Sequence, residues 1–544
     1  MLIRIKGGHV IDPANGHDGI GDIWMRDGGI VEAPSGAGPD ATYDATGKVV
    51  MAGAIDVHSH IAGWSVNTAR LMLPEFRLGS AGRPGSTPLS SAGWPAFEIG
   101  CLYAAMGFTT VVEPAVSPHY ALHAHLELAD IPIIDKAALA VLGNDDFLLG
   151  LMRRKEGAAA VRDYVAWTLA ATRSLGIKVI NAGGAAAFKE NVRRFSFDDV
   201  VPSCGVSSRE IVKTLQHAVN ELGVPHPLHV HCNNLGMAGS ADSALATIAA
   251  ADGLPLHLAH LQFYGYGKEG ARGFSSAAAR LAEAVNAAKS VTIDVGQVMF
   301  GQTVTVSLDI LRQFNARNQA RPRKWMIFDG DANGAGVVPY NYRSADFYNA
   351  VQWAVGMELF LLIDDPWRVF FTTDHPNGAP FTVYPEILAL LMSRDLRAQW
   401  IARLPVDAMA VTTLPSISRE YSLVEIATMT RAAPARLLGL RDRGHLGAGA
   451  VADVAVYDNE PDRARMFRSA ALVFKRGELV VRNGKPTQHV FGRALAVEPE
   501  RDRAIDHRMK AYYDERYGIS DDLIKVPDHA IGRPEPFELV SCAP

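Results

Sequence analysis

The chain has 544 residues, of which 48% are hydrophobic, and a formal net charge of −5. That length exceeds one small domain, and the apolar content is ample for a large buried core. The charges are interspersed without a basic tract, which leaves no case for nucleic acid as a partner. No apolar run reaches the roughly 18 residues of a membrane span. The first residues, MLIRIKGGHVIDPANG, lack the apolar core of a signal peptide. Cys101, Cys204, Cys232 and Cys542 form no CxxC pair, so neither a disulfide framework nor a thiolate zinc site is expected, and a cytoplasmic setting fits.

In chain order, residues 1–50 alternate like short strands punctuated by Gly and Asp-Gly turns, as in LIRIKGGHVID and GDIWMRDGGIVEA. The same texture returns at 431–495, in GHLGAGAVADVAVYD and AALVFKRGELVVRNGKP. One small β-sandwich domain built from both ends of the chain is expected, with residues 51–430 inserted between its halves. In that insert, strand candidates fall at 54–60, 108–114, 131–137, 177–183, 227–233, 255–261, 291–298 and 368–374. Helical stretches such as SREIVKTLQHAVNELG and SSAAARLAEAVNAAKS separate most of them. Repeated β-then-α units of this number predict an α/β protein with a parallel (β/α)8 TIM barrel. Two stretches, 61–93 and 299–367, are long for simple loops, and the first, rich in Gly, Pro and Ser, is expected to cover the barrel mouth. Residues 496–544 form a charged, partly helical extension. It either packs on the parent chain or helps to dock other subunits.

The polar residues follow the barrel logic. In AIDVHSH, His58 and His60 are two residues apart and share one strand face. Barrel active sites lie at the C-terminal strand ends. His58 and His60 end the first candidate strand, His231 the fifth, His260 the sixth and Asp374 the eighth. Five metal-competent side chains at one rim predict a metal site. In HVH, His229 lies one pleat deeper, about 6.6 Å lower, so His231 is the preferred ligand. In HLAH, positions 257 and 260 differ by an odd number, which predicts His260 inward and His257 toward the helices. Lys178 stands inside an apolar strand, where a charged amine is costly. It is either paired with a carboxylate such as Asp374 or carboxylated by CO2 into an anionic ligand able to bridge two cations about 3.5–4 Å apart.

The segments GGHVIDPANG, DIWMRDGGIV, MAGAIDVHSH and RAAPARLLGLRDRGHLGAGAVADVAVYD resemble the amidohydrolase superfamily, with its hydantoinase-like and dihydroorotase-like enzymes, over about residues 1–490. The longer stretches GWSVNTARLMLPE, YAAMGFTTVVEPAVSPHYALHAHLEL, LHVHCNNLG, LAHLQFYGYG and FTTDHPNGAPFTVYPEI resemble the A subunits of formylmethanofuran dehydrogenases and the alpha subunits of bacterial formyltransferase/hydrolase complexes. With 39 Arg against 14 Lys, the composition leans toward a GC-rich bacterial genome and the second of these.

The resemblance implies two zinc ions. His58 and His60 would hold one, with Asp374 completing its shell. His231 and His260 would hold the other, and carboxylated Lys178 would bridge both. It implies Asp374 as the catalytic proton carrier. The substrate would be an N-formyl amine on a methanofuran-type coenzyme, cleaved to formate and free amine, or condensed in the dehydrogenase. The partners would be companion subunits, one of them a formyltransferase. Asn233, Asn234, Tyr266 and Asn377 are candidate substrate-binding residues because they follow ligand positions. The alternatives are a stand-alone cyclic-amide hydrolase and a scaffold subunit without metals.

Overall fold

The structure is a computed structural model that describes residues 1–36, 38–72, 96–307, 336–534 and 536–542. Within them, eight parallel strands form the expected barrel: β1 (Ala54–Asp56), β2 (Phe108–Val116), β3 (Asp135–Leu142), β4 (Gly176–Ile180), β5 (His229–His231), β6 (Leu256–Leu258), β7 (Val291–Asp294) and β8 (Val369–Phe370). Each pairs in parallel with the next. The ring closes through a parallel bridge between Ser59 and His375, just past the ends of β1 and β8. The His60 N–H donates to the His375 carbonyl at 2.7 Å and strengthens that closure.

The third strand departs from expectation. It runs over Asp135–Leu142 instead of 131–137. Ile131, Ile133 and Ile134 are wholly buried but precede it, and Ile133 has a left-handed φ of 69° that breaks the extended run. The alanine-rich AALAVL then pairs on both sides, because burial between neighbours outweighs the weak strand preference of alanine. Of the stretch 299–367, an antiparallel strand pair, Gly301–Ser307 with Gly336–Tyr342, and a largely buried helix, Phe347–Leu362, are described, and residues 308–335 lie outside the described residues. Of the stretch 61–93, helix α1 (Trp64–Met72) is described, and the part from residue 73 lies outside the described residues.

The two ends of the chain meet in a mixed nine-stranded sheet among the described residues. Val454–Asp458 pairs antiparallel with Lys48–Ala52, so the C-terminal strands continue the N-terminal ones. Alternation explains how this sheet sits on the barrel. Val49 and Met51 join the barrel core, whereas Val50 and Ala52 join the sheet's own core with Ile5, Val10 and Phe474. Ala455 and Tyr457 divide from Val454 and Val456 in the same way.

The C-terminal extension packs on the parent chain. Strand β9 (Ala494–Ala496) pairs in parallel with the start of β3, and β10 (Phe537–Leu539) pairs with β9. Between them, helix α2 (Ala504–Tyr517) buries Ile505, Met509 and Tyr513, spaced four residues apart on one face. Asp135 of β3 anchors this junction, within 2.8 Å of Lys475 Nζ and 3.0 Å of Arg443 Nε, while Arg443 also reaches Glu538 of β10 at 2.8 Å. All the charges at the centre of this network are paired, as burial demands.

Candidate metal centre

The strand ends bring the predicted rim residues together. His58, His60, Lys178, His231, His260 and Asp374 are all at least nine-tenths buried. All but His58 line one cavity of about 310 Å³, and His58 touches two of the lining residues. His58 Nε2 and His60 Nε2 lie 3.0 and 3.2 Å from Asp374 Oδ1, and Lys178 Nζ is 3.1 Å from His58 Nε2. The His231 and His260 rings are edge-on, with centroids 4.7 Å apart. Asp374 and His260 both have left-handed backbones, with φ of 52° and 33°. Such conformations cost of order 1–3 kcal/mol for a residue with a side chain and persist where the surroundings enforce them.

Carboxylates that the sequence reasoning missed set the direction of the rings. Glu113, near the end of β2, lies 3.1 Å from His60 Nδ1. Its other oxygen accepts the Ile61 and Ala62 N–H groups at 2.6 and 3.0 Å. Asp294, the last residue of β7, lies 3.0 Å from His58 Nδ1 and 3.1 Å from His257 Nε2, and accepts the His260 N–H at 2.7 Å. An imidazole that donates Nδ1–H to a carboxylate keeps its Nε2 lone pair for a cation. Both His58 and His60 therefore aim a lone pair at the side of Asp374 Oδ1.

Among the described residues, two buried groups have metal-ligand spacing, His58 with His60 and Asp374, and His58 with His229 and Asp294. Hydrogen bonding separates them. In the deeper group the ring nitrogens and carboxylate oxygens satisfy one another, with His229 also bonded to His226 at 3.0 Å. In the upper group Asp374 Oδ1 faces the Nε2 atoms of His58 and His60 but forms a well-directed hydrogen bond with neither, and the buried His260 Nδ1 has no hydrogen-bond partner. Buried acceptors turned toward one another are costly unless a proton or a metal cation lies between them. The upper donor set therefore fits a metal ion, and the deeper set is its hydrogen-bonded support.

Without a cation the buried carboxylates draw a proton instead, which metal binding would release. Burial disfavours a charged His60 ring, but Glu113 and Asp374 outweigh it and raise its pKa to about 9. Burial should raise Asp374, yet the His58 and His260 rings hold it well below the usual carboxylate range. Burial lowers the Lys178 amine to about 8, against the pull of Asp374, so a fraction is uncharged near neutrality.

Some expectations are corrected here. His257 does not face the helices: it lies in the barrel interior beside His229, with ring centroids 4.6 Å apart. The alternation rule fails because β6 ends at Leu258 and the chain turns before His260. Gly296 permits that turn, since a Cβ there would come within 2.4 Å of the His260 Cβ. The rule holds for His229 and His231, which share a face at two depths, and His231 is the one on the cavity. Of the four candidate substrate residues, Asn377 lines the cavity and donates to Asp374 Oδ2 at 2.8 Å. Asn233, Asn234 and Tyr266 are not brought to the cavity wall, and their polar groups bond instead to Asn181, Ser243 and Gln262. The wall instead contains aromatic residues, Trp64, Tyr120 and Phe147 among them.

Comparison with known proteins agrees with this geometry. The amidohydrolase family model matches residues 41–488. FhcA, of the formyltransferase/hydrolase complex Fhc of Methylorubrum extorquens, is 52% identical over 550 residues, covering all of both chains. Protein FwdA of Methanocaldococcus jannaschii is 37% identical over 566 residues, covering 96% of this chain and 97% of that one. A crystal structure of the Methylorubrum extorquens complex FhcABCD with methylofuran contains a chain that superposes with a TM-score of 0.95, at 52% identity and full coverage of both. Among the described residues, no helix is long and apolar enough to cross a membrane.

Proposed function

Because the chain belongs to the amidohydrolase family, we propose that it hydrolyses an N-formyl amine to formate and the free primary amine. The formyl carrier is a coenzyme of the methylofuran or methanofuran type, and the chain works as the catalytic subunit of a formyltransferase/hydrolase complex in one-carbon metabolism. One observation carries this reading: unsatisfied buried acceptors form the floor of a cavity in a chain that matches FhcA over its full length.

His58, His60, His231, His260 and Asp374, with Lys178 carboxylated on its amine, would hold two zinc ions. Bound there, the two cations supply Lewis acidity and lower the pKa of water toward neutrality. Carboxylation converts the buried Lys178 amine into an anion, so the buried charge is matched rather than repelled by the cations. Glu113 and Asp294 hold the His60 and His58 rings in one tautomer. Asn377 holds Asp374 Oδ2, which leaves Oδ1 on the side of His58 and His60. Asp374 takes the proton of the attacking water and returns it to the amine nitrogen as the C–N bond breaks. The resemblance to the A subunits of formylmethanofuran dehydrogenases carries a second reading, in which the same residues run the condensation. The companion subunits, including one that transfers the formyl group, then set the direction.

The test is formate release from the formylated coenzyme by the purified complex. His60→Ala and Asp374→Asn are expected to abolish it while circular dichroism stays unchanged. Full activity in either variant, or turnover of hydantoin or dihydroorotate without formamide cleavage, overturns the assignment.

A further inference from the structure

A second cavity, of about 100 Å³, lies at the foot of the barrel. Lys136, the second residue of β3, stands on its wall, about 20 Å along the strand from the end that faces the metal centre. The helix Ala121–Asp130 contributes His125, the chain leading into β9 contributes Arg493, and the segment before β10 contributes Arg533. Among the described residues, every ionisable side chain on this wall is basic. We propose that the cavity is a binding site for hydrogen phosphate, which clamps the C-terminal extension to the barrel. The site is remote from the formamide chemistry and does not depend on it.

Charge is the first argument. Lys136 is 1% exposed. Its Nζ donates to the Ile131 and Gly492 carbonyls at 3.0 and 3.2 Å, which are dipoles and not counter-charges. The neighbouring Asp135 is taken up by Lys475 and Arg443. Burial lowers the Lys136 amine to about 7 against the pull of Asp135, and Lys475 and Arg533 push the same way. The half-buried Arg533 guanidinium sits over the Phe491 ring, 3.5 Å from its centroid, a contact that gives its N–H groups no oxygen acceptor. Neither Lys136 nor Arg533 has a carboxylate partner among the described residues. Two positive charges without a counter-charge thus border a space for only a few heavy atoms, and a small dianion matches both.

His125 narrows the choice. Its Nε2 lies 2.9 Å from the Thr172 carbonyl, so Nε2 carries the proton and donates it. Burial holds the ring at about 4, which keeps it neutral near pH 7 and leaves Nδ1 an acceptor. That nitrogen is buried and has no hydrogen-bond partner. Phe537 meets the ring edge-on, with centroids 5.1 Å apart, and brings no polar donor. A ligand that satisfies this wall therefore carries two negative charges and one O–H of its own. Hydrogen phosphate has both. Sulfate has the charge and the shape but no proton, and bicarbonate has the proton but half the charge.

The position gives the anion a task. Ion pairs already fasten helix α2, through Arg508 and Glu156 at 2.6 Å, and β10, through Glu538 and Arg443 at 2.8 Å. Arg533 lies between these two fastenings in the chain. An anion held by Lys136 of the barrel and Arg533 of the extension adds charge-assisted bonds across the junction. The segment it steadies follows helix α2, whose Tyr517 borders the catalytic cavity.

The experiment titrates the full-length protein with inorganic phosphate by calorimetry in chloride buffer, with sulfate, bicarbonate and methyl phosphate as comparisons. At about pH 7.5 inorganic phosphate keeps an O–H, whereas sulfate and a phosphate monoester, whose second pKa is near 6, keep essentially none. Phosphate is expected to bind about tenfold or more tightly than each of the other three. Arg533→Ala, at a half-buried position, should weaken phosphate about tenfold, and Lys136→Met should do the same, with circular dichroism unchanged. His125→Phe should bring phosphate and sulfate to within about twofold of each other. Trypsin should release the extension more slowly in phosphate than in chloride from wild type, and equally fast in both from Arg533→Ala. Absence of saturable phosphate binding, or binding that Arg533→Ala leaves unchanged, overturns the site. Sulfate or methyl phosphate binding as tightly as phosphate overturns the role of His125 in choosing the anion. Phosphate binding without slower proteolysis overturns the clamp.

Discussion

Asp294→Asn tests the support beneath the metal centre most directly. The substitution keeps the shape of the side chain and removes one acceptor. In the native protein one oxygen accepts the His260 N–H at 2.7 Å, and the other faces His58 Nδ1 at 3.0 Å and His257 Nε2 at 3.1 Å. An asparagine that keeps its oxygen on His260 must turn its NH2 toward the two rings. His58 can then accept only by moving its proton from Nδ1 to Nε2, where it points at Asp374 and the cation position. The ligating tautomer then lacks the hydrogen bond to a charged acceptor that Asp294 gives it in the native protein, about 1.5–3 kcal/mol. This matches the 10–100-fold loss of metal affinity that roughly follows removal of a ligand's hydrogen-bonded partner. Competition with a chromogenic chelator measures that loss, and circular dichroism checks the fold. A folded variant that holds zinc with native affinity would refute the reasoning, because His58 would then need no carboxylate to orient it.

Other outcomes follow from the same geometry. Lys178→Ala should lose bound metal and activity, and short carboxylic acids in the buffer should restore part of both by supplying the missing anionic bridge. A density map showing an unmodified Lys178 amine beside two bound cations would sink the carboxylation. Hydrogen bonds from Arg508 and Arg154 lower Glu156 to about 2, from an ordinary value of 4.5. A carboxylate depressed on folding contributes stability that is complete above about pH 4.5 and fades as pH falls toward 2. Wild type should therefore resist pepsin cleavage of residues 496–544 better than Glu156→Gln at pH 5, and the two should converge near pH 2. Equal cleavage at pH 5 would show that this ion pair does not hold the helix.

The barrel was legible in the sequence because each strand repeats a short apolar run and because the polar residues fall at the ends of those runs. His58, His60, His231 and Asp374 stand out as charge-capable side chains closing apolar strands. Glu113 and Asp294 occupy equivalent positions in FTTVVEP and VTIDVGQV, and that position is the signal that could have found them. They were overlooked because a search for ligands passes over residues that act through a ligand's far nitrogen. The period-two rule succeeded where a strand continues, at His229 and His231, and failed where the chain had already turned, at His257 and His260. The aromatic wall was invisible for a different reason. Trp64, Tyr120, Phe147 and Tyr517 are far apart in the chain, and no local period announces that a helix near one end will border a cavity formed by the middle.

The pairing of Val454–Asp458 with Lys48–Ala52 also imposes an order in time. The two strands are separated by roughly 400 residues, which a ribosome adding about 5–20 residues per second takes some 20–80 s to synthesise. Throughout that interval Val49, Val50 and Met51, all fully buried in the finished protein, emerge beside an unfilled strand edge, the kind of surface that invites pairing with another chain. Ribosome-bound chains stalled before Val454 should recruit a general chaperone and release it once residue 458 has left the tunnel. Equal chaperone binding on either side of that point would mean that the early strands are protected by another part of the chain. Coming first in the gene, this half of the sheet is completed among the last.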